Sequence, residues 1–134
     1  MRKNKVDIIT LGCSKNLVDS EQLMRQFAVN GYKVEHDPHK INGEIVVVNT
    51  CGFIGDAQEE SIEMILELGQ AKKQGKIGKL FVMGCLSERF LHDLEQELPE
   101  VDRFYGKFNW KELISDLGKA YHQELAYDRI LTTP

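Results

Sequence analysis

A chain of 134 residues with 42% hydrophobic and 28% charged side chains is sized for one compact domain with a real core, which excludes a disordered, collagen-like or disulfide-dense protein. The formal net charge of −4 provides no general field that would draw in nucleic acid. The longest apolar runs, such as Ile45-Val46-Val47-Val48, fall far short of the roughly 18–20 residues of a membrane helix, so neither membrane nor direct nucleic-acid contact is expected.

The basic start, Met1 to Lys5, imitates a signal peptide, but the apolar run behind it is cut by Asp7 and leads into Gly12-Cys13, so a cytoplasmic protein is expected. Lys5 to Leu11 is rich in β-branched residues and reads as a strand. The spacing of Leu17, Met24, Phe27 and Ala28 predicts a helix from Leu17 to Gly31 with these four inward and Gly31 as its C-terminal cap. Tyr32 to Glu35 reads as a short strand. Glu44 to Asn49 carries a continuous β-branched run, the pattern of a strand buried on both faces at the centre of a parallel sheet.

A second helix is predicted over Asp56 to Gln74, with Ile62, Ile65, Leu66 and Gly69 inward and Glu59, Glu60 and Glu63 near the positive end of its dipole. Lys72, Lys73 and Lys76 at the other end read as dipole complements rather than a phosphate patch. Lys79 to Met83 is a fourth strand. Ser87 caps a helix that runs to Leu98 and is ended by Pro99. A short strand at Arg103 to Tyr105 precedes a last helix, whose start has Asn109 and Glu112 in a capping-box spacing and whose apolar stripe is Trp110, Leu113, Ile114, Leu117 and Tyr121. The alternation predicts an α/β fold: a doubly wound, mostly parallel sheet of about five strands with helices on both faces. Residues 1–122 form this domain. Residues 123–134 show no helical period and read as a linker toward a further domain.

Three cysteines in a cytoplasmic chain are better read as free thiols or ligands than as disulfides. Cys13, Cys51 and Cys85 each follow a predicted strand, each beside a glycine (Gly12, Gly52, Gly84) and each just before a helix. The carboxyl ends of parallel strands share one edge of the sheet, where ligands bind, so thiols far apart in sequence are expected to converge. Soft thiolates at helix starts select zinc, copper(I) or iron–sulfur, and structural zinc generally takes four protein ligands. Only three thiols exist, and His36, His39, His92 and His122 have no evident claim to the fourth place. A 4Fe–4S cluster on three cysteines, with one iron open to an outside ligand, fits that count better. Any single one of these cysteines would read as an ordinary buried residue.

The remaining signals are weaker. Gly69 to Lys76 has the composition of a phosphate loop but the wrong spacing and the wrong place, after a helix. Asp19 and Glu21 read as dipole partners rather than acid–base groups, and Asn16 and Asn49 as partners of turn backbone. No residue is assigned a catalytic role.

The segments Leu11-Gly12-Cys13-Ser14-Lys15-Asn16-Leu17-Val18-Asp19-Ser20-Glu21, Asn49-Thr50-Cys51-Gly52-Phe53-Ile54 and Val82-Met83-Gly84-Cys85-Leu86-Ser87-Glu88-Arg89 together resemble the N-terminal domain of the radical-SAM methylthiotransferases, and the resemblance covers nearly the whole chain. It implies that Cys13, Cys51 and Cys85 ligate an auxiliary 4Fe–4S cluster, the sulfur-donating or sulfur-carrying centre. The forms Gly12-Cys13-Ser14-Lys15-Asn16 and Cys51-Gly52-Phe53-Ile54 are similar to the branch that adds a methylthio group to the β-carbon of an aspartate on the twelfth protein of the small ribosomal subunit. The tRNA-modifying branch typically has Gly-Cys-Gln-Met-Asn at the first motif. The family's C-x-x-x-C-x-x-C motif, which holds a second 4Fe–4S cluster and cleaves S-adenosylmethionine, does not occur in the chain. Arg129-Ile130-Leu131-Thr132-Thr133-Pro134 resembles the segment leading into that radical-SAM domain, which would be a partner in cis, and the chain alone is expected to bind a cluster without catalysing. Rival expectations are the same chemistry on tRNA, an electron-transfer iron–sulfur module and a structural zinc domain.

Overall fold

A computed structural model describes residues 1–11, 15–50, 56–84, 95–106 and 110–119. Its elements are β1 (Arg2–Leu11), α1 (Lys15–Val29), β2 (Lys33–His36), β3 (Gly43–Thr50), α2 (Asp56–Lys73), β4 (Lys79–Gly84), β5 (Arg103–Gly106) and α3 (Trp110–Asp116). The strands form one sheet in the order β2-β1-β3-β4-β5 with every pair parallel, the order of the flavodoxin-like doubly wound sheets. The expected α/β architecture of about five strands is the observed one. The predicted helix from Ser87 lies mostly outside the described residues; residues 95–97 are helical and the helix has ended by Leu98, before Pro99.

The sheet separates two cores by strand parity. On one face Val6, Ile8, Ile45, Val47, Phe81, Met83 and Tyr105 pack against Leu23 and Phe27 of α1 and Leu113 and Ile114 of α3. On the other, Ile9, Val46, Val48, Leu80 and Val82 pack against Ile65 and Leu68 of α2, with Leu98 and Val101. Val46, Val47 and Val48 are fully buried, because β3 lies mid-sheet with helices over both faces.

Several inward positions differ from those predicted. Ala28 is exposed, and α1 instead buries Ser20, Leu23, Gln26 and Phe27, with Met24 packed alongside. The stripe is thus shifted about one residue toward the N-terminus, with two polar side chains in it. On α2, Leu66 is 46% exposed and Leu68 takes its place inside, so the face centres on Ile65 and Leu68. Gly31, at φ 91°, ends α1 as expected: Tyr32 N–H donates to Phe27 O and Gly31 N–H to Ala28 O, closing the last turn. The last helix stops earlier than its apolar stripe suggests, since Gly118 and Lys119 turn back onto Ser115 O and Ile114 O. Tyr121 and residues 123–134 lie outside the described residues.

β1 starts three residues before its predicted position. Arg2 pairs with Gly43 and donates to Asn42 O at 2.7 Å, and an irregularity between Arg2 and Val6, with Asn4 at φ 60°, absorbs the change of register. At the base of β1, Lys5 and Asp7 face the α2 side of the sheet. The connection from β2 to β3 crosses there, held by a buried ion pair that sequence reading missed. Lys5 and Asp7 are 3% and 0% exposed, with Lys5 Nζ 3.0 Å from Asp7 Oδ1 and 3.1 Å from Glu35. Asp7 Oδ2 accepts the backbone N–H groups of Asn42 and Gly43 at 2.9 and 2.8 Å, and Lys5 Nζ donates to Asn42 Oδ1 and Lys40 O. A Cβ at residue 43 would lie 2.8 Å from Lys5 O and 3.0 Å from Asp7 Oδ2, so this close approach requires Gly43.

Candidate functional site

The carboxyl ends of the strands form one edge, and their register is close to level. Leu11 pairs with Thr50, Thr50 with Gly84, and Gly84 with Gly106. Adjacent strands stand about 4.8 Å apart, so the last residues of β1, β3 and β4 span about 10 Å. Cys51 and Cys85 directly follow Thr50 and Gly84, and Cys13 comes two residues after Leu11. The three cysteines themselves lie outside the described residues. β1 lies between β2 and β3, so the connections leaving β1 and β3 run to opposite faces, α1 on one and α2 on the other. This is the switch point at which open α/β sheets bind ligands. In the sequence each of β1, β3 and β4 is followed by a cysteine within two residues of its end.

Beneath this row, on the α1 face, lies a polar cluster. Thr10 Oγ1 is 2.6 Å from Ser20 Oγ and 2.7 Å from His36 Nε2, and Asn49 Nδ2 donates to Ser20 Oγ at 3.0 Å. Asp37 accepts the Thr10 N–H at 2.9 Å and lies 3.3 Å from His36 Nε2. Ser20 and Asn49 are 0% and 3% exposed. Thr50, 1% exposed, donates from Oγ1 to Met83 O at 3.2 Å and so fastens β3 to β4 one residue before Cys51. Asn49 is therefore a buried partner of α1. Thr10, Ser20 and His36 were missed, although a signal existed: Asn49 continues the inward alternation of Ile45 and Val47, and Ser20 falls on the stripe of Leu23 and Phe27.

Of the other candidates, His36 belongs to this polar cluster, and none of the remaining ones is placed at the edge by the described residues. His36 is engaged with Thr10, and His39 lines a cavity with Met1, Lys40, Ile41, Asn42 and Lys76 beside the opposite edge. His92 and His122 lie outside the described residues, as do the side chains of Asn16 and Asp19; Glu21 is exposed. Among the described residues, no three His, Cys, Asp or Glu side chains converge on a metal-sized site. Lys72 donates to Glu100 O and Asp102 at 2.9 and 2.8 Å, and Lys73 lies 2.7 Å from Glu100, whose carboxyl its hydrogen bond holds below the usual range. These two lysines tie α2 to the start of β5, in keeping with the structural reading. At the far edge, Tyr105 donates to Asp116 at 2.7 Å while Arg103 pairs with Asp116 and Glu112; burial, and then the bond to Asp116, push the phenol well above its ordinary range. No helix among the described residues is long and apolar enough to cross a membrane.

The sequence profile of the family described as "Uncharacterized protein family UPF0004" matches residues 5–106. Among curated proteins, the chain is 90% identical over its full length to a protein of Parabacteroides distasonis named "Ribosomal protein uS12 methylthiotransferase RimO". It is 70% identical to the protein of the same name from Porphyromonas gingivalis and 50% identical to that of Flavobacterium johnsoniae. In each case the chain spans 31% of the relative's length. Among solved structures, rubredoxin oxygen:oxidoreductase from the anaerobe Desulfovibrio gigas superposes with a TM-score of 0.51 over 92% of this chain and 36% of its own, at 14% identity, a likeness of fold alone.

Proposed function

The chain belongs to the UPF0004 family, and from that premise we propose that it is the cluster-binding N-terminal domain of a radical-SAM methylthiotransferase acting on ribosomal protein uS12. The observation that carries the reading is the level row of Leu11, Thr50 and Gly84, from which Cys13, Cys51 and Cys85 depart. The names of the relatives support the substrate, ribosomal protein uS12, and a cytoplasmic location is part of the same proposal. In this reading residues 1–122 form the domain and residues 123–134 lead toward a radical-SAM domain in cis, which would hold a second 4Fe–4S cluster and S-adenosylmethionine.

Cys13, Cys51 and Cys85 hold an auxiliary 4Fe–4S cluster as thiolates. Backbone N–H groups at the adjoining helix starts compensate their negative charge, and three protein ligands leave one iron open to exchange. When bound, the cluster supplies or carries the sulfur of the methylthio group. The chain's own part is to present the thiols at one edge, to let backbone approach the centre at Gly12, Gly52 and Gly84, and to keep the floor beneath it rigid.

Anaerobic reconstitution of the chain with iron and sulfide tests this. The expected result is close to one 4Fe–4S cluster per chain, seen by electron paramagnetic resonance after reduction, with a spectrum that changes on adding methanethiolate. Cys13→Ala, Cys51→Ala and Cys85→Ala are each expected to abolish or strongly destabilise the cluster, since three thiolates are already fewer than the usual four. A spectrum indifferent to thiolate would indicate a closed electron-transfer cluster, and stoichiometric zinc after anaerobic purification a structural metal domain. Incubating the full-length protein with uS12 and with tRNA in parallel separates the two methylthiolation substrates.

A further inference from the structure

We propose that Thr10, Ser20 and Asn49 are positioning residues for the metal centre: their hydrogen bonds close the turn that carries Cys13 and set its separation from Cys51. This rests on reading the cysteines as cluster ligands.

Thr10 stands at the end of β1 and Ser20 in the second turn of α1, on either side of the segment that holds Cys13. Their hydroxyl oxygens are 2.6 Å apart, so the bond joins the two arms of that turn. Thr10 and Asn49 are register partners on β1 and β3, one step below the row from which the cysteine turns depart. The Asn49 amide reaches the same Ser20 oxygen at 3.0 Å, which ties the closed turn to the strand that ends just before Cys51. A serine hydroxyl, with one hydrogen and two lone pairs, can serve both partners at once. His36 and Asp37 grip Thr10 from the edge-strand side, through its hydroxyl and its N–H.

All three side chains face the interface between the sheet and α1, where the pattern otherwise demands apolar residues: Val6 and Ile8 precede Thr10, Ile45 and Val47 precede Asn49, and Leu23 and Phe27 follow Ser20. Apolar residues at these places would serve burial equally well. A fully bonded polar network differs in admitting one geometry rather than several close ones, which is what a centre held by few ligands needs from its support.

The test compares reconstituted wild-type chain with Thr10→Val, Thr10→Ser, Ser20→Ala and Leu68→Ala, following the electron paramagnetic resonance of the reduced cluster and the rate at which a chelator removes iron. Thr10→Val keeps shape and β propensity but loses the hydroxyl, Thr10→Ser restores it, and Leu68→Ala destabilises the opposite face without touching the network. Iron loss about 10–100-fold faster, with an altered spectrum, is expected for Thr10→Val and Ser20→Ala, and wild-type behaviour for Thr10→Ser and Leu68→Ala. Wild-type spectra and rates in Thr10→Val and Ser20→Ala would overturn the inference, as would equally fast loss from Leu68→Ala. If Ser20→Ala does not fold, the Thr10 pair decides. Failure of the wild-type chain to take up any cluster would instead overturn the ligand assignment on which the inference rests.

Discussion

The two ends of β1 bury polar atoms in opposite ways. At its base, Lys5 and Asp7 form a charged pair under the irregular connection between β2 and β3. At its tip, the Thr10 hydroxyl bonds that of Ser20, which also accepts from the Asn49 amide, so that neutral side chains meet under α1. The cover explains the difference. A helix satisfies its own backbone groups and asks little of the strand beneath it, whereas the connection arrives with N–H groups at Asn42 and Gly43 and a carbonyl at Lys40 that need partners. A carboxylate and an ammonium supply them, with stronger bonds than neutral groups would make.

The base should therefore be the more costly end to break. Asp7→Ala leaves two backbone N–H groups without their acceptor and takes from the buried Lys5 ammonium its one fully buried carboxylate, and is expected to cost about 3–5 kcal/mol in urea unfolding. Ser20→Ala removes one hydroxyl from a neutral network and should cost about 1–3 kcal/mol in the same measurement. If Ser20→Ala proves the costlier of the two, the contrast between charged base and neutral tip is wrong.

A pH titration extends the comparison to the far edge of the sheet. The Tyr105 phenol titrates higher in the folded chain than in the unfolded one, because burial and the bond to Asp116 favour its neutral form. Its contribution is fully present below the unfolded value near pH 10 and is lost as pH rises from there through the folded value, since the unfolded state then binds fewer protons. Stability followed by circular dichroism should fall above about pH 10, and Tyr105→Phe should make that fall shallower. The smallest effect is expected at Leu66, which is 46% exposed: Leu66→Gln should change stability by no more than about 0.5 kcal/mol, whereas the same change at buried Leu68 should be severe.

Helices and strands were largely legible because their signals are local. Gly31 marks the end of α1, the Ile45 to Val48 run marks the central strand, and the stripes on α1 and α2 are correct to within about a residue. The error at Leu66 was a choice between two leucines, of which Leu68 is the buried one; the error at Ala28 arose because a stripe read from apolar residues alone overlooks polar side chains that also face inward. Ser20 and Gln26 do so on α1, which moves the buried face away from Ala28. The common edge of the strand ends that precede the three cysteines was legible too, because the end of a strand in an alternating β/α chain already implies the same edge of the sheet.

What sequence by itself determined is therefore local: the α/β class, the parallel central strand, and three thiols each issuing from a strand end. Only the tertiary structure decided the order β2-β1-β3-β4-β5, which puts the switch point between the strands leading to Cys13 and Cys51. It alone joined Lys5 and Asp7 to the segment at Asn42, Thr10 to Ser20 and His36, and Ser20 to Asn49. These partners lie on different elements, and no periodicity along one segment encodes which distant donor will meet which acceptor. Pairing of that kind is settled when the strands dock, because a buried polar atom must then find a partner or bear the cost of leaving water.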